Sequence, residues 1–146
     1  MDVSGDPMAV YSESMELKTK GEVQAIDISN EVGSVIRRSG LKAGIACVFS
    51  SSSTSAIVAN ETGANVDIDL AEVLERIAPR KHPYRHEEKW HDGNGHSHMR
   101  ASLLGQSFTF PFANGQPQLG TWQQVWFLEL DNKARRREVL VTLVGE

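Results

Sequence analysis

The chain has one cysteine, Cys47, so it can form no internal disulfide and no thiolate-rich zinc cluster. Cys47 lies in the apolar run AGIACVF and reads as a buried, unreactive thiol. Nothing approaches the roughly 18 consecutive apolar residues of a membrane-spanning helix. Positive charge is also short. With 15 Lys and Arg against 19 Asp and Glu, the net charge is -4, which gives no electrostatic footprint for a nucleic-acid polyanion. The first ten residues, MDVSGDPMAV, have neither the basic flank nor the apolar centre of a secretory signal, so a cytoplasmic protein is expected. There is no G-x-S-x-G elbow and no glycine-rich nucleotide loop, which removes the commonest serine-hydrolase and Walker or Rossmann readings.

The 146 residues are enough for one domain with its own core. A flexible segment is expected over residues 1–8 and a single domain over 9–146. Loose alternation over 8–18 and clearer alternation over 23–28 predict two strands around a turn at Lys20 and Gly21. A helix follows, capped by Ser29 or Asn30, with Val32, Val35 and Ile36 on one face and Gly40 in the left-handed C-terminal position. GIACVFS and AIVAN read as strands on either side of a hydroxyl-rich turn. Asp67 or Asp69 caps a second helix, which Pro79 stops. Residues 79–97 form a long polar loop, and SHMRASLL a brief helix ended by Gly105. SFTFPF, a turn at Asn114 and Gly115, and TWQQVWFLEL form a hairpin, and REVLVTLVGE is the last strand. About seven strands, two longer helices and one short one, grouped in runs, predict an α+β fold with mostly antiparallel sheet and a sandwich-like core.

All five histidines fall between positions 82 and 98. His82 and His91 read as loop histidines. His86, His96 and His98 are candidate ligands for zinc or a similar divalent metal, through neutral imidazoles that leave a position open. Side chains two apart share a side in an extended segment but diverge by roughly 200° on a helix. The three-histidine set therefore requires the short helix to begin after the pair. The hydroxyl turn of Ser52, Ser53 and Thr54 is a candidate phosphate cradle, Glu61 a candidate general base, and Asp92 and Asn94 turn-formers beside the histidines. The basic run KARRRE, residues 133–138, reads as a solvated turn and strand edge, with phosphate binding as the alternative. Trp122 and Trp126 are candidates for either the core or a subunit contact.

The segments TSAIVANE, YRHEEKWHDGNGHSHMRASLLG, NGQPQLGTWQQVWFLELD and RRREVLVTLVGE resemble, in order and spacing, the YjbQ family of small uncharacterised proteins. The resemblance runs from about residue 9 to the end. It implies an α+β sandwich-like fold assembled as a homotrimer, with its polar clusters meeting in a cleft near the subunit interface. It also implies a weak thiamine-phosphate synthase activity in some members, joining an aminopyrimidine pyrophosphate to a thiazole phosphate. Carried onto this chain, it marks Ser53 and Thr54, Asn60 and Glu61, Tyr84 to His86, His96 and His98, and Gly120 to Gln123. It also implies a histidine just before the hydroxyl pair, where this chain has serine.

Under the synthase reading, Arg85, Arg100, Thr54 and the histidines face departing pyrophosphate, with Asn94 also contacting substrate and magnesium as the cofactor. An imidazole-rich cluster suits zinc better than magnesium. The alternatives are a metal-dependent hydrolase acting on a small phosphorylated or amide substrate, with His86, His98 or Glu61 as its base, and a trimeric metabolite-binding protein without efficient turnover. In each reading the main expected partner is a small metabolite, phosphorylated in the leading case, with neither nucleic acid nor membrane involved.

Overall fold

The computed structural model describes residues 7–146, so most of the segment expected to be flexible, residues 1–6, lies outside the described residues. Eight strands and four helices appear among the described residues, in the order β1 (Ala9–Lys18), β2 (Gln24–Asp27), α1 (Ser29–Ser39), β3 (Gly44–Ser50), β4 (Ser55–Asn60), α2 (Val66–Ile77), α3 (His86–Trp90), α4 (Gly95–Leu104), β5 (Ser107–Ala113), β6 (Gln116–Pro117), β7 (Gln124–Glu129) and β8 (Arg136–Gly145). A five-stranded sheet runs β1-β8-β3-β5-β6 and a three-stranded sheet runs β2-β7-β4. Every pairing is antiparallel. The fold is α+β, as the grouping of elements predicts, with one short helix more than expected.

Alternation along β8 places Val139, Val141 and Leu143 on the inner face of the larger sheet, where all three are fully buried. They meet Phe110 and Phe112 of β5, Val32, Val35 and Ile36 of α1, and Val125 and Phe127 of β7 in the main core. A second cluster lies on the other face of β7, where Trp126, Leu128 and Leu130 pack with Leu74 of α2 and Ala101 of α4. The smaller sheet is therefore the middle of three layers. That explains why VWFL reads as a continuous apolar run where a half-buried strand would alternate.

The strands on either side of two expected turns do not pair with each other, and one of these was expected as a hairpin. β1 and β2 flank Lys20 and Gly21, but β1 pairs with β8 and β2 with β7, so the chain changes sheets at this turn. After the tight turn at Asn114 and Gly115, both at positive φ, β5 is met only by the two residues of β6. β7 lies instead between β2 and β4 in the other sheet. Local alternation identifies a strand, but its partner is selected by which faces have to be buried.

Helix ends differ from expectation in detail. Gly40 closes α1 in the left-handed region, as predicted, but neither Ser29 nor Asn30 caps its start. The Ser29 hydroxyl instead accepts the backbone N–H of Val125 at 2.9 Å, tying α1 to β7. α2 begins after Asn65 with no side-chain cap, so Asp67 and Asp69 sit inside its first turn, where they complement the positive end of the helix. The segment expected as loop over 79–97 contains α3 and the start of α4. Cys47 is half-buried on the outer face of the larger sheet, not sealed in the core. No helix among the described residues is long and apolar enough to cross a membrane.

Candidate functional site

Where β3 ends and β4 begins, the turn Ser51–Thr54 forms one wall of a cleft of about 460 Å³. Opposite stand His86 and Trp90 of α3, Asp92 and Asn94 of the next loop, and His98 of α4, with Asp131 and Arg135 supplied by the β7–β8 connection and Arg137 by the start of β8.

A buried ionic network fixes the floor. Glu129, fully buried at the end of β7, accepts from Arg137 Nε at 2.8 Å and Nη2 at 2.6 Å, and from the Thr19 hydroxyl at 2.7 Å. The same guanidinium donates to Ser52 Oγ at 2.7 Å and Thr54 Oγ1 at 2.8 Å, so one cation sets the direction of both hydroxyls. Asp131, 1% exposed, accepts from Thr54 Oγ1 at 3.1 Å, Arg135 Nε at 2.9 Å and Asn94 Nδ2 at 3.2 Å. Burial works to raise its carboxyl, but the Asn94 amide, the Asn132 N–H and Arg135 outweigh it and hold Asp131 below the ordinary carboxylate range. Both carboxylates are met by guanidinium groups, so the network positions its members without leaving a buried charge unpaired, while Asn94 Oδ1 stays buried without a hydrogen-bond partner.

The histidine wall is held by a second carboxylate. Glu87 accepts the backbone N–H of Gly93 at 2.6 Å and of Gly95 at 2.8 Å, clasping the loop after α3 onto the start of α4. Burial raises its carboxyl, the two N–H groups and His86 overcome that, and the net shift is downward. Gly95 is required here because a Cβ would lie 2.5 Å from Cβ of Tyr84. Since α4 starts at Gly95, His96 and His98 leave the helix in divergent directions.

His98 turns into the cleft, where its ring lies 4.3 Å from that of His86. Burial lowers the His98 pKa below the usual imidazole range and neighbouring His86 lowers it further, against the opposing pull of Asp131, Asp92 and Glu87. These influences favour the neutral form of His98. His86 Nδ1 is a buried atom without a hydrogen-bond partner, 3.5 Å from carboxylate oxygens of both Glu87 and Asp92. These three offer one ligand atom each within 4.8 Å of one another, a donor set that fits a zinc-class ion.

Of the residues singled out from sequence, Ser53, Thr54, His86, Asn94 and His98 share this cleft. The expected three-histidine set is not assembled. His96 faces away, 1% exposed, with Nε2 2.5 Å from Glu22 Oε2, because the helix begins before the pair and not after it. Arg100 is buried behind α4, donating to the Ala78 carbonyl at 3.0 Å and to Glu75 at 2.7 Å. Arg85 stands exposed at the N-cap of α3 and does not line the cleft. Asn60 and Glu61 lie at the opposite end of β4 from the hydroxyl turn, roughly 17 Å away by strand rise.

Asp131, Glu129, Glu87, Trp90 and two arginines of KARRRE are residues that sequence reading did not place in a site, and Asp92, read there as a turn-former, joins the candidate metal ligands. The alternation of a strand was the available signal for the arginines. Arg135 and Arg137 turn inward together, while Arg136 turns out to pair with Glu16 at 3.0 Å.

A small α+β protein with a buried ionic network under a histidine and hydroxyl cleft is the class these features define. Residues 13–146 match the family model described as UPF0047 protein YjbQ-like, and the chain belongs to that family. A UPF0047 protein of Methanothermobacter thermautotrophicus is 42% identical over 139 residues, covering 95% of each chain. YugU of Bacillus subtilis is 32% identical, over 90% of this chain and 98% of its own. A crystal structure of a YbjQ-like protein of unknown function from Sulfolobus solfataricus superposes with a TM-score of 0.91 at 31% identity, covering 96% of this chain and all of that one.

Proposed function

We propose that this YjbQ-family protein binds a small phosphorylated metabolite in the cleft and hydrolyses it, with His98 as general base. The observation that carries this reading is the His86–His98 pair, kept neutral on the His98 side, facing a wall of preset hydroxyls and Arg135. Arg135 is the less committed cation: its side chain is 36% exposed and bound to Asp131, whereas that of Arg137 is 11% exposed and held by Glu129. Arg135 and Ser53 receive the phosphate oxygens. His98 takes a proton from the attacking water as the water oxygen bonds to phosphorus and the P–O bond to the leaving group breaks on the opposite side, where the leaving oxygen takes its proton from solvent. A zinc-class ion held by His86, Glu87 and Asp92 would, when bound, polarise a phosphate oxygen. Magnesium, with its preference for an all-oxygen shell, fits this mixed donor set less well.

Thiamine-phosphate synthase chemistry is the competing reading and needs several cations at the departing pyrophosphate. Arg85 and Arg100 are not on the cleft wall and Arg137 is committed to Glu129, which favours hydrolysis. Self-association as a homotrimer is supported by an apolar row on the outer face of the larger sheet, where Val10, Val144 and Ile45 adjoin in register and stay exposed. Light scattering then gives three times 16.1 kDa, and a monomer mass removes the trimer.

The deciding assay incubates the zinc-loaded and the chelated protein with simple phosphate monoesters, and separately with the aminopyrimidine pyrophosphate and thiazole phosphate pair. Zinc-dependent orthophosphate release lost in His98→Ala supports the hydrolase. Pyrophosphate release that requires the thiazole partner replaces it with the synthase. Binding without release replaces both with a metabolite-binding protein.

A further inference from the structure

The cleft wall is polar almost throughout, apart from Trp90. This tryptophan belongs to neither core cluster and is 61% exposed. Lys89 Nζ lies 5.1 Å from its ring centroid. α3 is only five residues long, with His86 at its first position and Trp90 at its last. Positions four apart lie on one face of a helix, so the helix that delivers the imidazole also delivers the indole beside it. Leaving a large aromatic side chain in water forgoes much of the stabilisation that burying it would bring. At the rim of a cleft that stabilisation is recovered when a flat ligand covers the ring.

We propose that Trp90 is a specificity-determining residue that stacks on a planar aromatic ring of the substrate, so that the cleft selects phosphate esters of aromatic alcohols or heterocycles over aliphatic ones. The inference rests on the phosphate reading of the cleft. The phosphate lies against Ser53 and Arg135, and the ring extends across the cleft to Trp90 on the α3 side.

The test is calorimetric titration of the full-length protein with phenyl phosphate and with glycerol 3-phosphate, which carry the same charged group on an aromatic and an aliphatic body. Stacking of a ring on an aromatic side chain is worth about 1–3 kcal/mol, so phenyl phosphate is expected to bind roughly fivefold more tightly or better. Trp90→Ala removes that preference and leaves glycerol 3-phosphate within about twofold of wild type, while Trp90→Phe keeps most of it. Trp122→Ala, which alters an exposed tryptophan off the cleft, leaves both affinities unchanged. Equal binding of the two esters by wild type, or an equal loss of both in Trp90→Ala, overturns the stacking role and leaves the phosphate site standing. A change of oligomeric mass in Trp90→Ala also overturns it, by making Trp90 a subunit contact. Failure of wild type to bind either ester removes the phosphate reading and this inference together.

Discussion

His96 and His98 are two residues apart on the first turn of one helix, yet their surroundings have little in common. His96 is sealed at 1% exposure against Glu22, whose other oxygen is paired with Arg80 and which also has Arg100 nearby at 3.9 Å. His98 is only partly buried, touches another imidazole and looks into open volume. One ring of the pair holds the helix down, and the other is held out by it. A histidine with a carboxylate partner and no solvent contributes to stability, whereas a neutral histidine at a cleft wall is available to a substrate.

That contrast breaks most visibly on the buried side. Removing one partner of a buried hydrogen-bonded pair leaves the other polar group desolvated, at a cost of about 1–3 kcal/mol. Glu22→Ala, which takes the acceptor from both His96 and Arg80, is therefore expected to lower the midpoint of urea unfolding by an amount equivalent to about 3 kcal/mol, and His96→Ala, which leaves Glu22 paired with Arg80, by about 1 kcal/mol. The double variant is expected to lose less than the sum of the two, because neither partner is then left without the other. Additive losses would show that the pair is not coupled. On the cleft side the expected pattern is reversed. His98→Ala is expected to lower phosphate-ester turnover by about 100-fold, the lower end of what general-base removal costs, while moving the unfolding midpoint little. A large stability loss in His98→Ala would place both histidines in the same structural role and erase the contrast.

Much of the fold was legible because burial is written periodically. The α1 stripe of Val32, Val35 and Ile36, its Gly40 stop, and the β8 alternation of Val139, Val141 and Leu143 all appear as read. Strand partners were not legible. β2 and β7 pair with each other across about a hundred residues, and nothing local distinguishes that from a hairpin. In the site, the hydroxyl turn and two histidines came through, but the starting point of α4 decided the fate of the third. That start is set by Gly95 against Tyr84 and by the Glu87 clasp, contacts that no periodicity records. Glu129 lies inside the run TWQQVWFLEL and Asp131 just after it, and only the fold shows that both are buried against Arg137 and Arg135. Arg135 and Arg137 follow the phase of β8, which turns them toward Asp131 and Glu129, so the basic run is a solvated edge at Arg136 and an ion-paired wall on either side of it.

The smallest expected effect concerns pH, and it separates the two histidines without reference to any substrate. Burial and His86 hold the folded-state pKa of His98 below its unfolded value of about 6.5. Between those two values the unfolded chain binds more protons than the folded one, so stability rises with pH through that window. Above about 6.5 both states are neutral at this position and the dependence vanishes. As pH falls below 6.5 the folded protein forfeits free energy until His98 is protonated in both states. His98→Gln, which cannot titrate, is therefore expected to flatten the acid side of the stability profile measured by urea unfolding between pH 5 and 7.5. Wild type and variant should run parallel above about pH 7, and as pH falls below about 6.5 wild type should lose stability relative to the variant. Parallel curves over the whole range would mean that His98 is as exposed and as unperturbed as a surface histidine, and its assignment as the neutral base of the cleft would fall with them.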